Sequence, residues 1–64
     1  MEVKREVALE LAVAGLLKAA GLHKDDLIQR ANAAILGGQV DEFGGGTQHK
    51  SAACTIIADI ADRI

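Results

Sequence analysis

The sequence predicts an all-α fold built from three helices, and three observations carry that expectation. Segments of strong helix formers are interrupted only by glycine, apolar residues recur at three- and four-residue spacing along the last two segments, and the chain contains no proline. Glycine is therefore the only strong punctuation available. The expected architecture is a long first helix, a helix-glycine-helix corner, a glycine-rich connection over residues 37–46 and a C-terminal helix, all in one domain covering residues 1–64.

The first helix is expected over residues 2–20, where Ala, Leu, Glu, Lys and Arg dominate and Gly21 stands in position to cap the end. At about 100° per residue its apolar side chains fall on too many sides for a small monomer. Leu9, Val13, Leu16, Leu17 and Ala20 make one stripe, Val3, Val7, Leu11 and Ala14 a second, and Ala8, Ala12, Gly15 and Ala19 a third of small side chains. Two short helices do not cover all three. A surface of small side chains lets another helix come close, so Ala8, Leu9, Leu11, Ala12, Gly15, Leu16 and Ala19 are the candidate residues for self-association.

The second helix opens in "GLHKDDLIQR", with His23 or Lys24 near its N-cap and Asp25 and Asp26 in the first turn, where carboxylates suit the helix dipole. Leu22 and Leu27 have the spacing of a hydrophobic staple around a cap at His23. Leu27, Ile28, Ala31, Ile35 and Leu36 form the expected buried side, Asp26 and Arg30 an i, i+4 surface pair, and Gly37 with Gly38 the end. The connection "GGQVDEFGGG" holds five of the chain's seven glycines, a composition that costs much backbone entropy to order. It is expected to stay mobile unless bound, with Val40 and Phe43 pinning it to the helices. The third helix starts at Thr47 or Ser51, either of which suits an N-cap, and carries Ala53, Ile56, Ile57, Ile60 and Ile64 at helical spacing. Thr55, Asp59, Asp62 and Arg63 face away from them.

A chain of 64 residues puts such a core near the lower limit for independent folding. A single core of this size supplies about 3–5 kcal/mol, and disulfides, metals or oligomerisation are the usual supplements. Cys54 is the only cysteine, so no intrachain disulfide forms, and His23, His49 and Cys54 fall short of a tetrahedral zinc set unless carboxylates or a second chain join them. No metal or cofactor is expected. A homo-oligomer, most simply a dimer, is the remaining supplement.

Composition also narrows the partners. A net charge of −2 and a single aromatic residue, Phe43, supply neither the basic field nor the stacking platform of a general nucleic-acid binder. The apolar run over residues 7–20 is interrupted by Glu10 and Lys18 and is shorter than the roughly 20 apolar residues that span a bilayer. Lys4 and Arg5 precede it, but no small-residue cleavage site follows a clean apolar stretch. A cytoplasmic protein with a reduced thiol is expected, with no membrane partner.

Three local spellings bear on function. In "FGGGTQHKS" the spacing of Gly44, His49, Lys50 and Ser51 is one residue from the phosphate-loop pattern G-x-x-x-x-G-K-[ST], with His49 where the last glycine belongs. Backbone N–H groups at a helix start, together with a lysine, suit an anion. Gly44, Gly45, Gly46, Thr47, His49, Lys50 and Ser51 are therefore candidate anion-binding residues, although the chain is too small for the parallel sheet that surrounds a true phosphate loop.

Leu16, Ala19, Ala20, Gly21, Leu22, Lys24 and Leu27 together resemble the helix-turn-helix core of bacterial repressors, over about a quarter of the chain. That resemblance implies that Lys24, Gln29 and Arg30 touch bases or phosphates. Asp25 and Asp26 at the leading end of the same helix repel phosphates, so nucleic acid is a disfavoured partner. "LGG" at residues 36–38 is similar to the double-glycine processing site of secreted bacterial peptide precursors, and it is equally the ending of an ordinary helix. Cys54 reads as a buried inert thiol, and no acid, base and nucleophile set assembles from the sequence. The expectation is a non-enzymatic helical protein that self-associates and binds a larger protein, as an adaptor or inhibitor does. Surplus apolar helix surface is the feature that leads there.

Overall fold

The computed structural model describes residues 2–64. It is all-α, with no strand among the described residues. Helix α1 spans Arg5–Ala20, three residues shorter at its start than expected. Lys4 is extended at the N-cap and its side chain makes no capping bond, so nothing extends the helix backwards. Glu6 in the first turn and Lys18 in the last complement the dipole.

The corner is more than a glycine cap. Gly21 donates its N–H to the carbonyl of Lys18, at φ 56° and ψ −122°, a combination that glycine adopts without a Cβ clash. A 3-10 turn, Gly21–His23, then leads into α2, Lys24–Leu36. The tighter turn rotates Leu22 away from Leu27: Leu22 is 102% exposed, and the expected staple does not form. His23 occupies the N-cap position without a side-chain bond.

The glycine-rich connection is tied down by its own backbone. Gly37, Gly38 and Gln39 donate N–H groups to the carbonyls of Ala33, Ile35 and Ala34 at 2.8, 3.3 and 3.0 Å. A 3-10 turn, Asp41–Phe43, follows. The Asp41 carboxylate then meets Lys50 Nζ at 3.1 Å, bracing the turn against α3, Thr47–Arg63. These contacts hold the connection in a defined turn. Phe43, expected to pin it, is instead exposed.

Gly38 sits at φ 84°, and a Cβ there would lie 3.1 Å from Asp41 Oδ2. Gly38→Ala is accordingly expected to cost about 1–2 kcal/mol, combining a left-handed backbone with crowding of the bracing carboxylate. The midpoint of urea unfolding measures this, and an unchanged midpoint would show that the turn does not hold this geometry.

Each helix touches both of the others, but the packing is shallow. Leu17 of α1 and Ile60 of α3, at 3% and 4% exposure, are the buried apolar residues among those described. Val13, Ala14, Ile28, Ile35 and Ile57 are half-buried around them. Leu27 and Leu36, expected on the buried side of α2, and Ile56 of α3 are exposed, as are Leu9 and Leu16 of α1. The Oδ1 atom of Asn32 is buried without a partner, which costs about 1–3 kcal/mol.

The molecule is a slab of 34 × 31 × 16 Å, with a radius of gyration of 12.2 Å against about 10.7 Å for a compact chain of this length. Its accessible surface is 5231 Å², whereas a compact monomer of 6.7 kDa exposes about 3,900 Å². Roughly 1,300 Å² per chain is therefore left uncovered relative to an ordinary small domain.

Candidate functional site

Exposed apolar side chains line α1 and the grooves beside it. Leu17 fixes which side of α1 faces inward, and at about 100° per residue the small side chains Ala8, Ala12, Gly15 and Ala19 fall on the opposite, outward side. All four are exposed, and a Cβ built on Gly15 would meet no atom within 4 Å. Leu9 and Leu16 lie to one side of the inward direction and Leu11 to the other, and all three are exposed. The seven residues predicted for self-association thus occupy three different sides of one helix, and no single flat partner covers them all.

The two flanks of α1 differ in chemistry. On the flank of Leu9 and Leu16, one groove is lined by Glu6, Leu9, Glu10, Val13 and Ile56. The next is lined by Val13, Leu16, Leu17, Leu27, Ala31 and Ile57. They share Val13, so they form one continuous apolar surface to which all three helices contribute. On the opposite flank, the grooves contain Val7, Leu11 and Ile60 beside Glu10 and Arg63, and Leu17 and Ile64 beside Lys18 and Lys24. Val13, Leu27 and Ile56 are additions that the sequence did not single out for interaction. Their only signal there is membership of apolar stripes.

Two of the three residues that the helix-turn-helix resemblance selects are engaged within the chain. Lys24 is half-buried, and its Nζ donates to the carbonyl of Ala61 at 3.4 Å, where a cation meets the C-terminal, negative end of the α3 dipole. Arg30 Nε pairs with Asp26 Oδ2 at 3.1 Å on the surface. Gln29 is exposed.

The candidate anion residues come together only in part. Gly44, His49 and Lys50 line a groove of about 430 Å³ together with Ile35, Val40, Phe43 and Ala53. Thr47 and Ser51 do not line it, and Ser51 accepts a bond from Thr55 Oγ1 through its carbonyl at 3.0 Å. The cation of this loop already has a carboxylate. Lys50, its side chain 18% exposed, pairs with Asp41, and the Asp41 carboxylate lies against Gly38 and Gly45. An incoming anion must displace that carboxylate before it meets Lys50.

Among the described residues no group of three His, Cys, Asp or Glu side chains converges on a point, and no helix is long and apolar enough to cross a membrane. Cys54 is a half-buried free thiol. Comparison with family models, with curated proteins and with solved structures yields no match.

Proposed function

We propose that this chain is a non-enzymatic helical protein of the cytoplasm that works as a homo-oligomer, most simply a dimer of three-helix subunits, and binds a larger protein in the manner of an adaptor or inhibitor. One observation carries the reading: the chain exposes about 1,300 Å² more than a compact monomer, and α1, with apolar or small side chains on all sides, leaves Val7, Leu9, Leu11 and Leu16 exposed. A helix of that kind belongs in an interior. Covering one flank with a second copy still leaves the outward stripe and the flank of Lys18, Lys24 and Arg63, and these are the surfaces offered to the larger protein.

Sedimentation equilibrium combined with native mass spectrometry tests the oligomer. The expected result is a mass of two chains that persists on dilution into the micromolar range. A single-chain mass throughout overturns self-association. Retention of a defined larger protein by the oligomer, competed away by substitutions on the outward stripe such as Ala12→Lys, is the expected sign of the second activity.

A further inference from the structure

We infer that two copies of the chain stack through the flank of α1 that carries Leu9, Val13 and Leu16, with Leu27 and Ile56 completing the contact, and that the two α1 helices run antiparallel across the seam. This rests on the self-association proposed above and adds which surface meets which, and in what orientation.

The choice of flank follows from desolvation. Leu9, Leu16, Leu27 and Ile56 are 51%, 66%, 38% and 48% exposed, and around Val13 they form a surface without a cation in its grooves. Covering it removes hydrocarbon from water, at about 25 cal/mol for each Å² buried. Both grooves of the opposite flank carry charges, Lys18 and Lys24 in one and Glu10 and Arg63 in the other. On the flank of Leu9 and Leu16 charge is confined to Glu6 and Glu10 in one groove, and the other is wholly apolar. Taking charges out of water is expensive. The apolar flank is therefore the one that a second protein surface covers at least cost.

The choice of occupant follows from area. Obligate homodimers bury about 1,000–2,500 Å² per subunit. The surface that this chain exposes beyond a compact monomer falls in the same range. One second copy thus accounts for the excess, and a two-fold interface needs no surface other than this one, since the same patch serves both subunits.

Charge selects the orientation. Glu6 and Glu10 border the seam toward the start of α1. Parallel helices would set these carboxylates against their own copies at the edge of a dry contact, where like charges repel strongly. Antiparallel helices separate the two Glu6 positions by about 20 Å along the seam and the two Glu10 positions by about 7–8 Å, where parallel helices would superimpose each pair. With the two-fold axis beside Val13, residue 9 of one copy lies over residue 16 of the other.

Cross-linking reads this register directly. In a Cys54→Ser background, Leu9→Cys and Leu16→Cys are prepared separately, then oxidised mildly alone and mixed. The antiparallel seam predicts a mixed disulfide at least about tenfold more abundant than either self-linked dimer, because same-numbered residues are offset by about 10 Å along the axis, beyond the ~7 Å Cα limit of a disulfide. Self-linked dimers without the mixed species overturn the orientation. A two-chain native mass with no cross-link overturns the choice of flank and leaves self-association standing. A wild type that remains a single chain, including one that then sediments with lipid vesicles, overturns both.

Charge substitution supplies an independent measurement. Leu16→Glu is expected to weaken dimerisation at least about 100-fold, whereas Leu11→Glu on the opposite flank changes it less than about threefold. The reverse pattern overturns the assignment. Should Leu16→Glu fail to fold, the cysteine pair, which keeps the seam uncharged, decides the matter alone.

Discussion

Leu17→Ala is expected to unfold the free chain, with loss of most of its helical circular dichroism at 25 °C. Leu17 is 3% exposed and shares the protected interior with Ile60, so few other contacts compensate for its removal. Truncating a buried leucine to alanine costs about 2–5 kcal/mol, more where the site does not collapse onto the cavity. A single core of this size supplies only about 3–5 kcal/mol in all. Loss and reserve are therefore comparable, and the folded fraction falls from nearly all to a minority. Leu16→Ala, the neighbouring residue with the same chemistry, provides the contrast. At 66% exposure it removes little that the isolated chain buries, so in dilute protein it costs about 0.5 kcal/mol or less. Thermal and urea melts of the two variants side by side check this. Equal losses in dilute protein would place Leu16 inside the subunit and contradict the exposure described above.

The same pair of residues shows how far the sequence is legible. The helical class and the boundaries of α2 and α3 follow from local chemistry, because glycines bound each segment and isoleucines at helical spacing mark one side of α3. Ile60 is where that spacing puts it. Leu17, by contrast, was one of five residues in a stripe, and α1 offered no means of choosing among its sides. The direction of burial can be read only from a helix with a polar face, and α1 has apolar or small side chains all round. The flank that stays uncovered is therefore a tertiary fact, set by where α2 and α3 arrive.

Other departures have equally local causes. The staple of Leu22 on Leu27 assumes an α-helical entry, and the 3-10 turn at Gly21–His23 advances by about 120° per residue instead of 100°, which carries Leu22 outward. The brace between Asp41 and Lys50 joins a 3-10 turn to the first turn of α3 across the three glycines 44–46, so no single periodicity announces it. Its only trace in the sequence is an acidic pair before the glycines and a basic residue after them. Lys24 read as a surface cation because its partner, the Ala61 carbonyl, is a backbone group 37 residues away, and any residue at that position would have supplied the same acceptor.

Raising the protein concentration a thousandfold is expected to raise the midpoint of thermal unfolding by about 15 °C. If the folded species is a dimer and the unfolded species two free chains, mass action favours the dimer by about 1.4 kcal/mol for each tenfold in concentration, or about 4 kcal/mol over that range. Unfolding entropy near 2.1 cal/mol/K per residue, taken over two chains of 64 residues, converts this to roughly 15 °C. A monomer melts at one temperature regardless of concentration. Scanning calorimetry at the two extremes separates these outcomes without any substitution. The magnitude matters as well as the sign, because a weak association that forms only at high concentration would shift the midpoint over the upper part of the range alone. A uniform slope across it shows that folding and association are coupled over the whole range, with the dilute folded monomer lying below it. A flat response would mean that the slab stands on the Leu17 and Ile60 core by itself, and self-association and the stacked flank would both fall. Leu16→Ala then completes the thermodynamic cycle: its cost should grow from negligible in dilute protein toward the 2–5 kcal/mol of a buried leucine as concentration drives the seam closed.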